Sequence, residues 1–495
     1  LTKNIHIDFL TTRTFIRWAS VVWVLLTGVA LTFSFYPIAL LPAAFAIGYL
    51  LIYYPAKVLL FIGFVTPLSY QIEDAKGLGG VGISLPSELL LVALLGLYII
   101  AWILGYREDR RMMRHPLTKV ILLLLAWTAI TAMASSLPLV SFKFFLSKLW
   151  FIVCMYFLIN RFFNDPKYIR TFIVCFILGM SAATAYTVLN HASQNFSEQA
   201  GLSVMWPFFK DHTIYGALLA LTFPLVILEF FHSGRFSFRR VCFGGLILLF
   251  TVALIYSYTR AAWVSLVGAL GVWILMRLRI KFGVVLAGAA VALTGLFFLQ
   301  DTIAHRLEKN RQDSSGDLAE HVQSISNVSS DASNLERLNR WNSALRMWEE
   351  QPFWGFGPGT YAFEYGTFQK SSDRTIISTN QGDAGNAHSE YLGPLAEQGV
   401  LGMVLVILLV GMAMYVGITL YFKLEKGSYL RDLTMAIILS LVTYFLHGVL
   451  NNYLDTDKAS VPIWAMMSVL VAIDIYHRDT GNQRNLQQSK AVSSK

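Results

Sequence analysis

Apolar residues dominate the chain in runs near the ~20 residues needed to cross a bilayer. They fall at about 16–35, 36–54, 56–72, 84–105, 116–135, 142–160, 168–190, 214–232, 240–259, 261–278, 282–299, 397–422, 431–453 and 459–477. The pattern predicts an all-α polytopic membrane protein with about 12–14 transmembrane helices. Eleven spans fill residues 1–299, a long polar segment follows at 300–396, and the last spans occupy 397–478. The polar tail at 479–495 reads as disordered. Tight, Pro-marked connections separate the first three runs.

The long segment is the unusual part, because loops of that length are commonly functional or disordered. Residues ~305–332 are rich in Ser and Asp and read as mobile. A helix is then predicted, with Ser333 and Glu336 in a capping box. Leu335, Leu338, Trp341, Leu345 and Trp348 recur at helical spacing and form its apolar face. Arg337, Arg340 and Arg346 stand on other faces, where they could touch substrate phosphates or sugars, although a solvated face is the ordinary reading. Next comes a Gly-rich turn, Trp354-Gly355-Phe356-Gly357-Pro358-Gly359. The segment closes on Asn386-Ala387-His388-Ser389-Glu390-Tyr391-Leu392, which leads into a short helix that Gly399 ends.

Composition agrees with the pattern. Charged residues are 14% and hydrophobic ones 55%, with mean hydropathy +0.55, whereas soluble domains carry about 25% charged residues. The net charge of +9 does not mark a nucleic-acid binder, because the basic residues sit in short clusters between apolar runs. Arg107 to Arg114, Arg161 to Arg170, Arg235 to Arg240, Arg277 to Lys281 and Lys423 to Arg431 are such clusters. With the N-terminus inside, all of them are cytoplasmic, and so are both termini. The first helix would then serve as the insertion signal, since its apolar run merges into a second span. The loops with unusual chemistry come out together on the opposite face: 190–213, the turn at Arg260, 300–390 and 451–458.

Those loops hold the candidate residues. Arg260 joins two spans with almost no loop, in Tyr256-Ser257-Tyr258-Thr259-Arg260. An arginine at the hydrocarbon edge is costly unless it is paired or lines a polar cavity, and its fork suits a phosphate. Lys210 and His212 follow an aromatic run at a helix start, where anions are favoured. The alternative there is an interfacial aromatic belt with a snorkelling lysine. His388 is the candidate general base. Lys148 lies about one and a half turns inside its span, where it either snorkels or joins a cavity. The carboxylates of 451–458 could orient a sugar or His388, although simple loop solvation is the ordinary reading. Cys154, Cys175 and Cys242 all lie in apolar runs, so no disulfide framework braces the long loop. No Cys-His metal spacing occurs. A transporter would carry ionisable residues or broken helices near the midplane, and the spans are nearly all apolar there.

Three motifs resemble the O-antigen ligase and O-antigen polymerase superfamily of bacterial envelope enzymes. They are Ser257-Tyr258-Thr259-Arg260-Ala261-Ala262, the run Glu336-Arg337-Leu338-Asn339-Arg340-Trp341 through Gly359-Thr360-Tyr361, and Asn386 to Leu392 before a membrane helix. The resemblance implies a metal-independent and cofactor-free glycan transfer, usually inverting, from undecaprenyl diphosphate at the periplasmic face of the inner membrane. It gives Arg260 to the diphosphate and His388 to the acceptor hydroxyl. Lys210 stands where ligases generally carry arginine, and Ser389 where many relatives carry asparagine. Lys210, His212, Arg337, Arg340, Asn386 and Tyr391 are the further candidates for diphosphate or glycan binding. Partners would be the lipid-linked donor, a hydroxyl acceptor and membrane lipid, with no nucleic acid. A lipid A-core acceptor makes the chain a ligase. A second repeat unit makes it a polymerase, and a protein hydroxyl makes it a protein O-oligosaccharyltransferase.

Overall fold

The computed structural model describes residues 9–32, 41–72, 83–280, 332–374, 378 and 385–478. The predicted span at 282–299, the segment 305–331 and the tail after 479 lie outside the described residues. The chain divides into two compact units, Leu1–Val58 and Leu59–Lys495. The first unit holds α1 (Phe9–Thr32) and α2 (Leu41–Tyr53), and α3 (Pro55–Val65) runs out of it. In the second, a two-stranded hairpin, β1 (Tyr70–Ile72) and β2 (Ile83–Leu85), pairs antiparallel with Tyr70 opposite Leu85. The 17-residue α4 (Ser87–Ile103) follows it.

Nine helices among the described residues are long and apolar enough to cross a membrane. They are α5 (Pro116–Met133), α6 (Pro138–Leu158), α7 (Pro166–Ser193), α8 (His212–Phe231), α9 (Phe238–Tyr256), α10 (Arg260–Arg277), α12 (Leu392–Lys423), α13 (Tyr429–His447) and α14 (Asp457–His477). The loop helix between them is α11 (Ala332–Glu350). A tenth span results if Ala44–Tyr53 and Pro55–Leu68, expected as two separate crossings, are counted as one broken span. This is an all-α polytopic membrane protein.

Local chemistry sets the helix starts. Asp165, Asp211, Ser237 and Ser428 cap α7, α8, α9 and α13 by accepting backbone N–H groups of the first turn. Helix α14 is buried along its length, while α10 exposes Val264, Val267 and Leu270 on a lipid-suited side. Two contacts position the functional end. A Cβ on Gly216 of α8 would lie 2.6 Å from Thr259, so glycine lets α8 reach the start of α10. In α12, Gly399 has φ +69° and separates a short helical segment from the long span. That break leaves carbonyls without helical partners. Phe356 N donates to Ala396 O (3.1 Å), Gly357 N to Glu397 O (2.8 Å) and Trp127 Nε1 to Gln398 O (2.9 Å). The Gly-rich turn is therefore a clasp on the broken helix.

Helix α11 begins at Ala332, one residue ahead of the predicted cap Ser333. The Glu336 carboxylate binds Arg340 Nε (2.9 Å) and Ser378. The buried face is also the polar one: Glu336, Asn339, Arg340 and Ser343 are buried with Ala344 and Met347, while Leu338 and Leu345 are exposed. The Glu336 carboxylate, the Asn339 amide nitrogen, the Arg340 guanidinium and the Ser343 hydroxyl face inward because they find partners there, and this leaves the leucines on the outside.

The basic clusters gather at the other end of the bundle. Fully buried Glu229 of α8 accepts from Arg170 Nη2 of α7 (2.9 Å), Arg239 Nη2 of α9 (2.5 Å) and the Tyr429 hydroxyl of α13 (2.7 Å). Tyr476 of α14 donates to Asp109, just before α5 (3.3 Å). The starts of α8, α10, α12 and α14 and the end of α13 consequently share the opposite, loop-bearing end.

Candidate functional site

The His388 loop is held from three directions. Arg340 Nη1 donates to Asn386 O (3.1 Å), Trp341 Nε1 to His388 O (3.4 Å), and His388 N to Asn386 Oδ1 (3.1 Å). On the far side, Glu390 N donates to Gly448 O (2.8 Å). Glu390 Oε1 accepts from the Tyr444 hydroxyl (2.5 Å), Tyr453 N (2.7 Å) and Leu454 N (3.0 Å). Between these anchors His388 has φ +48°. A non-glycine residue there is strained and persists only when its surroundings over-determine it.

Asn451 hydrogen-bonds the His388 side chain. It also meets His447 Nε2 at 3.1 Å. Burial, reinforced by the Arg340 and Arg337 charges, pushes the imidazole down to about 4. His388 is therefore neutral near pH 7, an acceptor set among cations.

Arg260 is tied to the same loops. Thr259 Oγ1 donates to His212 O (2.8 Å). Asp211 Oδ1 accepts from Thr213 N (2.8 Å), Ile214 N (3.0 Å) and Thr213 Oγ1 (2.5 Å). Thr213 Oγ1 in turn meets the Tyr453 hydroxyl, and Tyr453 N reaches Glu390. One run of hydrogen bonds thus links the starts of α8 and α10 to the His388 loop.

The structure brings His388, Asn386, Arg337, Arg340 and His212 into one neighbourhood, with Arg260 following Thr259. Exposed Lys210 precedes the Asp211 cap. Two candidates are engaged within the protein. Arg340 is buried against Glu336 and lies over the Tyr365 ring, and the Tyr391 hydroxyl donates to Phe445 O (3.0 Å). Arg346, placed at sequence level among the solvated residues, binds Phe368 O (2.8 Å) and Asp373.

Behind the loop lies a cavity of about 410 Å³, lined by Lys148, Asn386, Glu390, Glu397 and Asp455. Lys148 joins this cavity. Asp455 lines the same space from an exposed position. Burial pushes the Glu390 carboxyl up to about 7. Glu397, which receives Tyr361 N (3.1 Å), was missed in the sequence. Its only signal is a carboxylate inside an otherwise apolar run. Such a space offers acceptors and donors to a polyhydroxylated ligand. Among the described residues, no group of three or more His, Cys, Asp or Glu side chains is placed to hold a metal ion.

No curated protein matches the chain. Residues 244–407 match the family model described as O-antigen ligase. That stretch, about a third of the chain, contains Arg260, α11, the Gly-rich turn, His388 and the broken start of α12, and over it the chain is similar to the O-antigen ligase family.

Proposed function

We propose that this protein is an O-antigen ligase. It transfers a polysaccharide from undecaprenyl diphosphate to lipid A-core at the periplasmic face of the bacterial inner membrane. Members of the superfamily are membrane enzymes of glycosyltransferase type, acting on lipid-linked glycans. The donor and acceptor named here are our reading.

The observation that carries it is the hydrogen-bond run from Thr259 through His212, Thr213 and Tyr453 to Glu390. It ties the helix start that carries Arg260 to the loop that carries a strained, neutral histidine.

The chemistry needs both. The acceptor oxygen attacks the anomeric carbon from the face opposite the leaving group. The bond from that carbon to the diphosphate oxygen breaks, and the configuration inverts. Charge grows on the departing diphosphate, where Arg260, with Lys210 and Arg337, offers preplaced cations. His388 accepts the hydrogen bond of the acceptor hydroxyl. A bound diphosphate sets negative charge nearby and raises the imidazole's proton affinity. The hydroxyl proton passes to His388 as the new bond forms. The cavity behind the loop holds sugar hydroxyls on Asn386, Glu390 and Asp455.

Purified enzyme supplied with a lipid-linked glycan tests the reading. The acceptor is lipid A-core, a second lipid-linked repeat or a Ser-containing peptide. Product on lipid A-core, abolished by Arg260→Ala and by His388→Ala, is expected. Transfer only to a repeat unit or to peptide would reassign the acceptor, and near-normal turnover in either variant would remove that residue from the mechanism.

A further inference from the structure

At the basic end of the bundle, away from the candidate site, an open groove of about 580 Å³ runs between α7 and α9. Lys167, Arg170 and Arg239 line its polar mouth, and Val174, Leu178 and Leu246 line its depth. The helical register explains the order. On α7 the lining positions advance from 167 through 170 and 174 to 178, which is one face of one helix. At 1.5 Å per residue, Lys167 to Leu178 spans about 16 Å.

Arg170 and Arg239 both bind Glu229, yet their side chains remain 34% and 42% exposed. Lys167 is exposed as well. Lys167, Arg170 and Arg239 line the mouth, and no carboxylate lines the groove with them. Charge at the interface giving way to an apolar wall describes the complement of an amphiphile with an anionic head. A free anion would gain nothing from Val174, Leu178 and Leu246. A zwitterionic lipid would leave the excess charge unmatched.

We propose that this groove binds an anionic phospholipid of the adjoining leaflet. Its phosphate lies against Lys167, Arg170 and Arg239, and an acyl chain runs along the apolar wall. Basic pockets between membrane helices bind such headgroups by this combination of charge and desolvated chain.

Exposed Cys242, which lines the groove, provides the measurement. The full chain is placed in nanodiscs of phosphatidylcholine alone or with phosphatidylglycerol, and alkylation of Cys242 by neutral N-ethylmaleimide is timed. Phosphatidylglycerol should slow the reaction about tenfold, the protection that nine-tenths occupancy gives by mass action. Lys167→Glu should restore the phosphatidylcholine rate. Lys426→Glu, which changes the net charge equally in another connection, should not. Native mass spectrometry should show phosphatidylglycerol retained by the wild type and lost by Lys167→Glu. Equal rates in the two lipids would overturn the proposal. So would equal protection by inorganic phosphate in phosphatidylcholine discs, or equal effects of the two charge reversals.

Discussion

The Tyr453 amide donates to Glu390 Oε1 at 2.7 Å, and the hydroxyl of the same tyrosine meets Thr213 Oγ1. One residue thereby couples the carboxylate two positions after His388 to the start of α8. The consequence is a cluster of three donors, Tyr444 hydroxyl, Tyr453 N and Leu454 N, converging on one buried oxygen. Glu390→Ala would leave them unsatisfied, at about 1–3 kcal/mol for a buried group so stranded. The variant should melt well below the wild type in detergent, and Glu390→Gln, which keeps an oxygen, should melt much closer to it.

The same carboxyl carries a pH signature. Burial raises it from 4.5 to about 7. A raised value means that the folded protein holds the proton more tightly than the unfolded chain does. Its contribution to stability is complete below about 4.5, declines as pH rises, and is lost above about 7. Melting measured across this window should fall with rising pH more steeply in the wild type than in Glu390→Gln. Parallel curves would show that Glu390 titrates as an ordinary carboxylate.

His388 predicts the opposite direction for activity. Its folded value is pushed from 6.5 down to about 4, first by burial and then by the Arg340 and Arg337 charges. The neutral form should therefore persist well below pH 6.5 in the free enzyme. The acidic limb of kcat/KM, which reports the free enzyme, should lie near 4. Arg337→Gln removes one of the opposing charges and should move that limb upward. A wild-type limb at 6.5 would show that this histidine is not the group being titrated.

Much of this was legible in the chain, for identifiable reasons. Span positions follow from hydropathy because the bilayer imposes one length on every crossing. The Arg260 and His388 segments stand out as polar residues at the edges of apolar runs. The orientation of α11 was not legible. The stripe of Leu338, Trp341 and Leu345 fits either the membrane surface or the top of the bundle, and in the structure Leu338 and Leu345 are exposed while Arg340 is buried. Periodicity locates an apolar face without saying whether protein or lipid covers it. The Lys148, Glu397 and Asp455 cavity was only partly legible, since it unites three elements far apart in sequence, and no local pattern encodes that meeting.

The close approach of Gly216 to Thr259 makes a test of positioning distinct from chemistry. A methyl group at Gly216 would sit 2.6 Å from the Thr259 side chain, so α8 and the start of α10 must separate. Gly216→Ala leaves Arg260 and His388 in place chemically while shifting one relative to the other. A misplacement near 1 Å can cost about a hundredfold in rate. Transfer by Gly216→Ala should drop on that scale in kcat/KM, with the variant still inserted in the membrane. Thr259→Val, which removes the bond to His212 O (2.8 Å), should act in the same direction. Unchanged turnover in both variants would mean that the register between the two helices does not govern catalysis.

The buried Glu336–Arg340 pair permits a sharper dissection, because both side chains are only 6–7% exposed. Removing one partner of such a pair strands the other and costs about 3–5 kcal/mol. Arg340→Met should therefore loosen α11 and free Asn386 O, with faster proteolysis of the loop and loss of transfer. Glu336→Gln alone should be milder, since Arg340 keeps Asn386 O (3.1 Å) and its place over the Tyr365 ring. Combining the two changes removes both charges and should recover part of the protease resistance lost in Arg340→Met. Transfer should not recover with it if Arg340 is what holds Asn386 and His388 in register. Recovery of transfer together with protease resistance would instead assign Arg340 a purely stabilising role and leave the geometry of the His388 loop to Glu390 alone.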